Sequence, residues 1–301
     1  MENIISYNFY LEQVNLMPNS KIKSILGVCR LKFTRDKIAK YLYILDYQNY
    51  HKLNLLDIYN NPDIKIYFDG CYSNFCRNLS NISKLIQYIL QQFNLQQKIE
   101  KTEHYIIADT TLVINKKPEN ILKSDWDKNN VTARDKNKHK SHKVYYCGYK
   151  LLCFLNKDNL CYGNYILNIN YSDSNILKDS SFYKGKIEYT KLLVDRGLSS
   201  KLVYNRLETF KCECISPKRK KQQKNSDDWI EEKHKELYKK RFKIEVVFNK
   251  IKNMYKGIKL DLTYKKASII LQKAKIYLAI LKYNLITLGV LKQKIPTLSF
   301  T

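Results

Sequence analysis

Apolar positions recur at helical spacing through the first third of the chain. FTRDKIAKYLYIL, from 33 to 45, places Ile38, Leu42 and Leu45 on one face behind a Thr34 cap, and SNISKLIQYILQQF, from 80 to 93, repeats the device. Residues 1–98 therefore read as a small helical bundle, with a helix-turn-helix reader as one option. From residue 104 the texture changes. HYIIADTTLVI, from 104 to 114, is a short apolar run ending at Asp109, as expected of a buried strand that delivers a carboxylate at its end. VYYCGYKLLCFLN and CYGNYILNINYS flank a KDN turn and predict a hairpin beside that strand. KLLVDRGLSS, from 191 to 200, repeats the design: an apolar run, Asp195 where the strand should end, and Gly197 for the turn. A helix over SKLVYNRLETF and a strand over KCECISP follow, so the predicted order is three strands, then helix, strand, helix, strand, helix. These elements fall in a domain spanning 99–301.

Asp228 with Glu231 forms a capping box for a long helix that Gly257 would end. Within it, at about 100° per residue, Tyr238, Arg241, Glu245 and Lys252 fall on one polar stripe. Leu237, Ile244, Val247, Phe248, Ile251 and Tyr255 form a neighbouring apolar stripe, which would hold Glu245 at a core edge. A carboxylate there, flanked by cations, suits a metal ligand whose neighbours hold phosphate. A solvated face carrying i, i+4 ion pairs has the same pattern. The residue frequencies give roughly 0.07 accidental occurrences of this spacing along the chain, so its context decides. Residues 268–291 predict a second amphipathic helix, most simply a structural one.

Charge narrows the class of partner. A net charge of +26 over 301 residues exceeds what solubility requires and argues for a polyanion, nucleic acid rather than membrane. Part of the lysine excess, beside abundant Asn, Ile and Tyr, is what an AT-rich genome produces. The run Lys218, Arg219, Lys220, Lys221 suits a phosphate-contact loop, a nuclear-localisation-like patch or plain solvated surface. Eight cysteines include no C-x-x-C pair, so free thiols are expected. MENIISYNFYLEQ has no apolar core, and no uncharged run of about 18 residues occurs, so a soluble intracellular protein is expected.

Tyr238, two residues, Arg241, three residues, Glu245, six residues and Lys252 match without a gap the signature of bacterial insertion-sequence transposases of the DDE class, which the chain resembles from about 104 to 291. IADTT at 107–111 is similar to the family's first-Asp strand, and VDRGLSS at 194–200 to its second-Asp strand and turn. TAR at 132–134 and GYK at 148–150 are similar to the approach to its second strand, and CISPKRK at 214–220 to the strand and basic loop before the Glu helix. The resemblance implies an α/β ribonuclease H-like fold, a mixed sheet flanked by helices. In it Asp109, Asp195 and Glu245 would cluster as catalytic ligands of two Mg²⁺ ions, with Mn²⁺ able to substitute. Tyr238, Arg241, Lys252 and the run from Lys218 to Lys221 would contact DNA. It further implies double-stranded DNA partners at terminal inverted repeats and target sites, a homodimer on DNA, and a cytoplasmic, nucleoid-associated protein with no membrane partner. Two departures stand out: Leu198 follows Gly197 where an aromatic is common, and the spacing from Asp195 to Glu245 leaves no room for the large β insertion of some members. The rival readings are a domesticated, non-catalytic DNA-binding protein, which should have lost an acid, and a basic RNA-binding module stacking bases on Tyr145, Tyr146 and Tyr149.

Overall fold

The computed structural model describes residues 4–28, 33–96, 105–115, 131–135, 143–169, 171–182, 190–218, 229–255 and 266–291. They fall into two compact units, one from Met1–Phe93 with Ile251–Thr301 and the other from Asn94–Lys250.

The amino-terminal helices are α1 (Tyr7–Asn15), α2 (Asn19–Leu26), α3 (Arg35–His51), α4 (Leu55–Asn60), α5 (Pro62–Lys65), α6 (Tyr72–Ser83) and α7 (Leu85–Gln96). The Thr34 hydroxyl caps α3 by accepting from the Lys37 amide at 3.2 Å, and Ile38, Leu42 and Leu45 are fully buried along one face. The helix expected over 80–93 is instead two. Ser80 lies inside α6 rather than capping a new helix, and the chain breaks at Lys84. Ser80 and Ser83 are both buried, and the Ser83 hydroxyl donates to the Ser80 carbonyl at 2.8 Å. Such local bonds from Ser compete with the helical ladder, which is the physical reason for a boundary here.

The second unit is built on a six-stranded mixed sheet. Its strands are β1 (Ile106–Asn115), β2 (Val131–Asp135), β3 (Lys143–Leu155), β4 (Cys161–Asn168), β5 (Lys191–Val194) and β6 (Glu213–Ile215). The order runs β2, β3, β1, β5, β6, with β4 also paired to β3. β3 is antiparallel to β1, β2 and β4, whereas β1, β5 and β6 run parallel. The hairpin expected at KDN is present: Asn159 takes a left-handed φ of 63°, and the Asn156 side chain accepts from the Leu160 amide at 2.8 Å. Helices α8 (Asp173–Ile176), α9 (Lys201–Glu208), α10 (Lys235–Lys239) and α11 (Phe242–Tyr255) complete the described connections. Residues alternating along β1, β3 and β5 (Ile106, Ala108, Leu152, Phe154, Leu192 and Val194) bury one sheet face against Val203 and Leu207 of α9, Ile176 and Leu198.

Helix α12 (Lys266–Thr287) packs on α6 and α3, so it groups with the amino-terminal helices rather than with the domain from 99 to 301 that the sequence pattern suggests. An apolar face shows that a helix is buried but not against what. The same unit holds a charged group at its centre: Asp46 on α3, fully buried, accepts from the Ile5 amide at 2.7 Å and pairs with Lys282 of α12. Burial pushes the Asp46 carboxyl up, opposed by Lys282.

Candidate active site

β1 and β5 set two acids side by side. Their parallel pairing matches Ile106 with Leu192, Ile107 with Leu193 and Ala108 with Val194, and the next residues are Asp109 and Asp195. Each acid lies two positions beyond a buried residue, Ile107 or Leu193, and so shares that residue's side of the sheet. β5 stops at Val194 and a short 3₁₀ turn, Arg196–Leu198, carries the chain away. β1 does not stop: Asp109 lies mid-strand, opposite Cys153 of β3, rather than at the strand end that the apolar run suggests. With β5 gone, the Thr110 amide turns to the Asp109 side chain and donates to its Oδ1 at 2.7 Å. Asp195 is exposed beside the turn, where a Cβ on Gly197 would sit 3.8 Å from its Oδ2.

The long helix expected through Tyr238 and Lys252 is broken at Lys240 and Arg241. There the amides of Lys240, Arg241, Lys243 and Ile244 bond carbonyls three residues back, so a 3₁₀ joint separates α10 from α11. Tyr238 does not share an exposed stripe with the other three. It is 7% exposed, and its hydroxyl donates to the Val194 carbonyl at 3.2 Å. Burial pushes its phenol up, with Asp195 and Asp109 adding to the shift. Of the expected apolar stripe, Ile244, Val247, Phe248 and Ile251 are buried, Leu237 is half-buried, and the side chain of Tyr255 lies outside the described residues. Glu245 stands in the first turn of α11, where the helix dipole favours an acid, and Lys252 in the last, where it favours a cation. Asp228 and Gly257, the expected helix limits, lie outside the described residues.

Arg241 reaches back from the joint to the sheet. Its Nη1 donates to Asp109 Oδ2 at 2.5 Å and its Nη2 to Glu245 Oε1 at 2.9 Å, so one guanidinium bridges two of the three expected acids. Burial alone would lower its pKa, but Tyr238, Asp109, Asp195 and Glu245 together raise it. All three acids therefore lie within the field of one cation. Burial lifts the Asp109 carboxyl to about 6, opposed by the Thr110 amide and Arg241 and reinforced by Asp195.

Among the described residues no three His, Cys, Asp or Glu side chains sit close enough together to hold a metal ion. The expected clustering thus takes another form: Asp109 and Glu245 converge on Arg241, with Asp195 beside Asp109. The donor type suits Mg²⁺ or Mn²⁺, since Asp109 and Glu245 offer hard carboxylate oxygens to the cation that bridges them, with Asp195 next to Asp109 across the end of the strand pairing.

Lys218, the first residue of the basic loop, donates its amide to the Trp229 carbonyl at 2.7 Å, while Arg219, Lys220 and Lys221 lie outside the described residues. Tyr149 is 4% exposed and packed in the sheet, which removes one of the three rings needed for a base-stacking platform; the side chains of Tyr145 and Tyr146 lie outside the described residues. The sequence pattern passes over Asp173. Its Oδ1 accepts from Lys150 Nζ at 2.7 Å and from the Thr110 hydroxyl at 3.2 Å, and its Oδ2 would lie 4.0 Å from a Cβ on Gly197. Asp173 is thereby bonded to β1 next to Asp109 and lies beside the turn next to Asp195. An Asp in a polar segment such as YSDSN carries no signal to distinguish it from an ordinary turn residue.

A family model described as a transposase DDE domain matches residues 100–285. No curated protein matches the chain. The cryo-EM structure of the piggyBac transposase synaptic complex with hairpin DNA is similar over 96% of this chain and 77% of that one, at 10% identity and a TM-score of 0.48.

Proposed function

The chain belongs to the family of transposases with a DDE domain, and from that premise we propose that it binds the ends of an insertion sequence and catalyses metal-dependent DNA strand cleavage and strand transfer. Asp109, Asp195 and Glu245 would hold two divalent cations, Mg²⁺ or Mn²⁺. When bound, such a pair activates a water or 3′ hydroxyl for in-line attack and stabilises the leaving oxyanion. The observation that carries the reading is the convergence of Asp109 and Glu245, 136 residues apart in sequence, on Arg241, with Asp195 one step beyond the strand pairing that fixes Asp109. The mixed sheet, in which β3 runs antiparallel to β1, β2 and β4 while β5 and β6 run parallel to β1, supports a ribonuclease H-like domain.

The chain's own groups do the positioning. The Thr110 amide orients the Asp109 carboxylate, which Arg241 engages in the free protein, and Tyr238 fixes the backbone before Asp195. Arg241, Lys252 and the run from Lys218 to Lys221 hold DNA phosphates, and the helices of residues 1–98 read the element end. The protein acts as a homodimer on double-stranded DNA at the nucleoid, engaging terminal inverted repeats and then target DNA. A non-catalytic DNA-binding role is disfavoured by the retention of all three acids.

The test is nicking of DNA carrying the flanks of the protein's own gene, with Mg²⁺, with Mn²⁺ and with chelator. Cutting that needs the ion and is lost in Glu245→Gln is expected; cutting that survives chelation overturns the reading. DNA binding should weaken steeply with salt, each neutralised phosphate contributing about −0.9 to the slope of log K against log salt, and charge reversal from Lys218 to Lys221 should flatten that slope.

A further inference from the structure

We infer that Arg241 is an internal counterion that holds the ligand oxygens of Asp109 and Glu245 until a DNA phosphate draws it away, so that phosphate engagement and cation loading are coupled through one side chain. The inference rests on the cation-site reading above and deepens it. Both oxygens of Asp109 are engaged, Oδ1 by the Thr110 amide at 2.7 Å and Oδ2 by Arg241 at 2.5 Å. The second arm of the same guanidinium holds Glu245 Oε1 at 2.9 Å. A guanidinium cannot shed its proton to make way for an ion, and it has no acceptor with which to share one. A divalent cation sharing these oxygens would meet a fixed positive charge, so the guanidinium has to leave at least one of them first.

Its placement permits that movement. Arg241 lies at the joint between α10 and α11, outside either run of helix, and 18% of its side chain is open to solvent. Its outward position is therefore reached by side-chain rotation, without unfolding α11. A phosphodiester is the group best matched to take it, because its paired oxygens accept both arms of the fork as a carboxylate does. Departure of the guanidinium leaves two anionic carboxylates facing each other, which favours a cation; binding of the cation in turn repels the guanidinium toward the phosphate. By linkage, DNA must then raise cation affinity by the same factor by which the cation raises DNA affinity. Such coupling keeps the free protein poorly loaded and confines its chemistry to DNA that is already bound.

The experiment measures Mn²⁺ binding to the full chain by electron paramagnetic resonance of the free ion, with and without element-end DNA, for the parent, Arg241→Gln, Arg241→Lys and Asp109→Asn. Without DNA, Arg241→Gln should bind Mn²⁺ about tenfold more tightly than the parent, and DNA should tighten binding in the parent but not in this variant. Arg241→Lys keeps the charge but not the fork, should fall between the two, and serves if the Gln variant fails to fold. Equal or weaker Mn²⁺ binding in both Arg241 variants without DNA overturns the counterion role while leaving the cation site in place. Parent binding that is unchanged in Asp109→Asn overturns the cation site itself, and the inference with it.

Discussion

The hydroxyl of Tyr238 donates to the main-chain carbonyl of Val194 at 3.2 Å, one residue before Asp195. Within the signature, Tyr238 thus works on protein backbone. Tyr238→Phe keeps the ring and leaves that carbonyl without its partner, a cost of about 1–2 kcal/mol. Urea denaturation should show this loss together with slower nicking and unchanged DNA affinity. A variant of full stability with weakened DNA binding would mean that the phenol contacts DNA.

Asp109 makes stability fall as pH rises. Its carboxyl titrates near 6 in the folded chain against 3.8 ordinarily. Between these values the folded state keeps a proton that the unfolded chain has released, and above 6 the full cost of the buried charge remains, about 3 kcal/mol. Without divalent ions, Asp109→Asn should therefore be more stable than the parent at pH 7.5, by up to about that amount, with the gain gone near pH 4. An offset that is constant across this range would count against it.

Glu245→Gln should separate chemistry from binding. The side chain is 56% exposed and the buried stripe of α11 is untouched, so fold and DNA affinity should persist while nicking in Mg²⁺ fails. Lys252→Ala removes a proposed phosphate contact and no proposed ligand, and should slow nicking less than the Gln change does. The reverse order of damage would unseat Glu245 as a metal ligand.

In the helical unit, Lys282→Met should cost about 3–5 kcal/mol, because it strands the charge of the fully buried Asp46. Adding Asp46→Asn should recover much of the loss, since Asn keeps an acceptor for the Ile5 amide. Chemical denaturation of the single and double variants measures this, and no recovery would show that the pair acts through packing alone.

Local chemistry was the legible part. The Thr34 cap, the KDN turn and the acid-then-glycine end of β5 each rest on residues within a few positions of one another, and each is present. What escaped depends on distance or on what the backbone does between marked residues. Asp173 meets Thr110 across 63 positions, and its short polar segment announces nothing. Helical periodicity groups Tyr238, Arg241 and Glu245 whether or not the ladder is continuous between them, so the joint was hidden. Tyr238 fits a polar stripe and a core equally well in the sequence, because a tyrosine offers both a ring to bury and a hydroxyl to show. The partners of α12 could not be read from its apolar face.

That joint makes the signature two rulers laid end to end. From Tyr238 to Arg241 the measure is a 3₁₀ turn, in which residues three apart eclipse, and the guanidinium lies 5.9 Å from the centre of the Tyr238 ring. From Arg241 to Glu245 it is an α turn, in which residues four apart share a face. The first interval sets the depth from which the arginine rises and the second sets where the acid meets it. One residue inserted in the first would turn Tyr238 out of the core and leave Arg241 and Glu245 in register; one inserted in the second would leave the tyrosine seated and swing the glutamate off its partner.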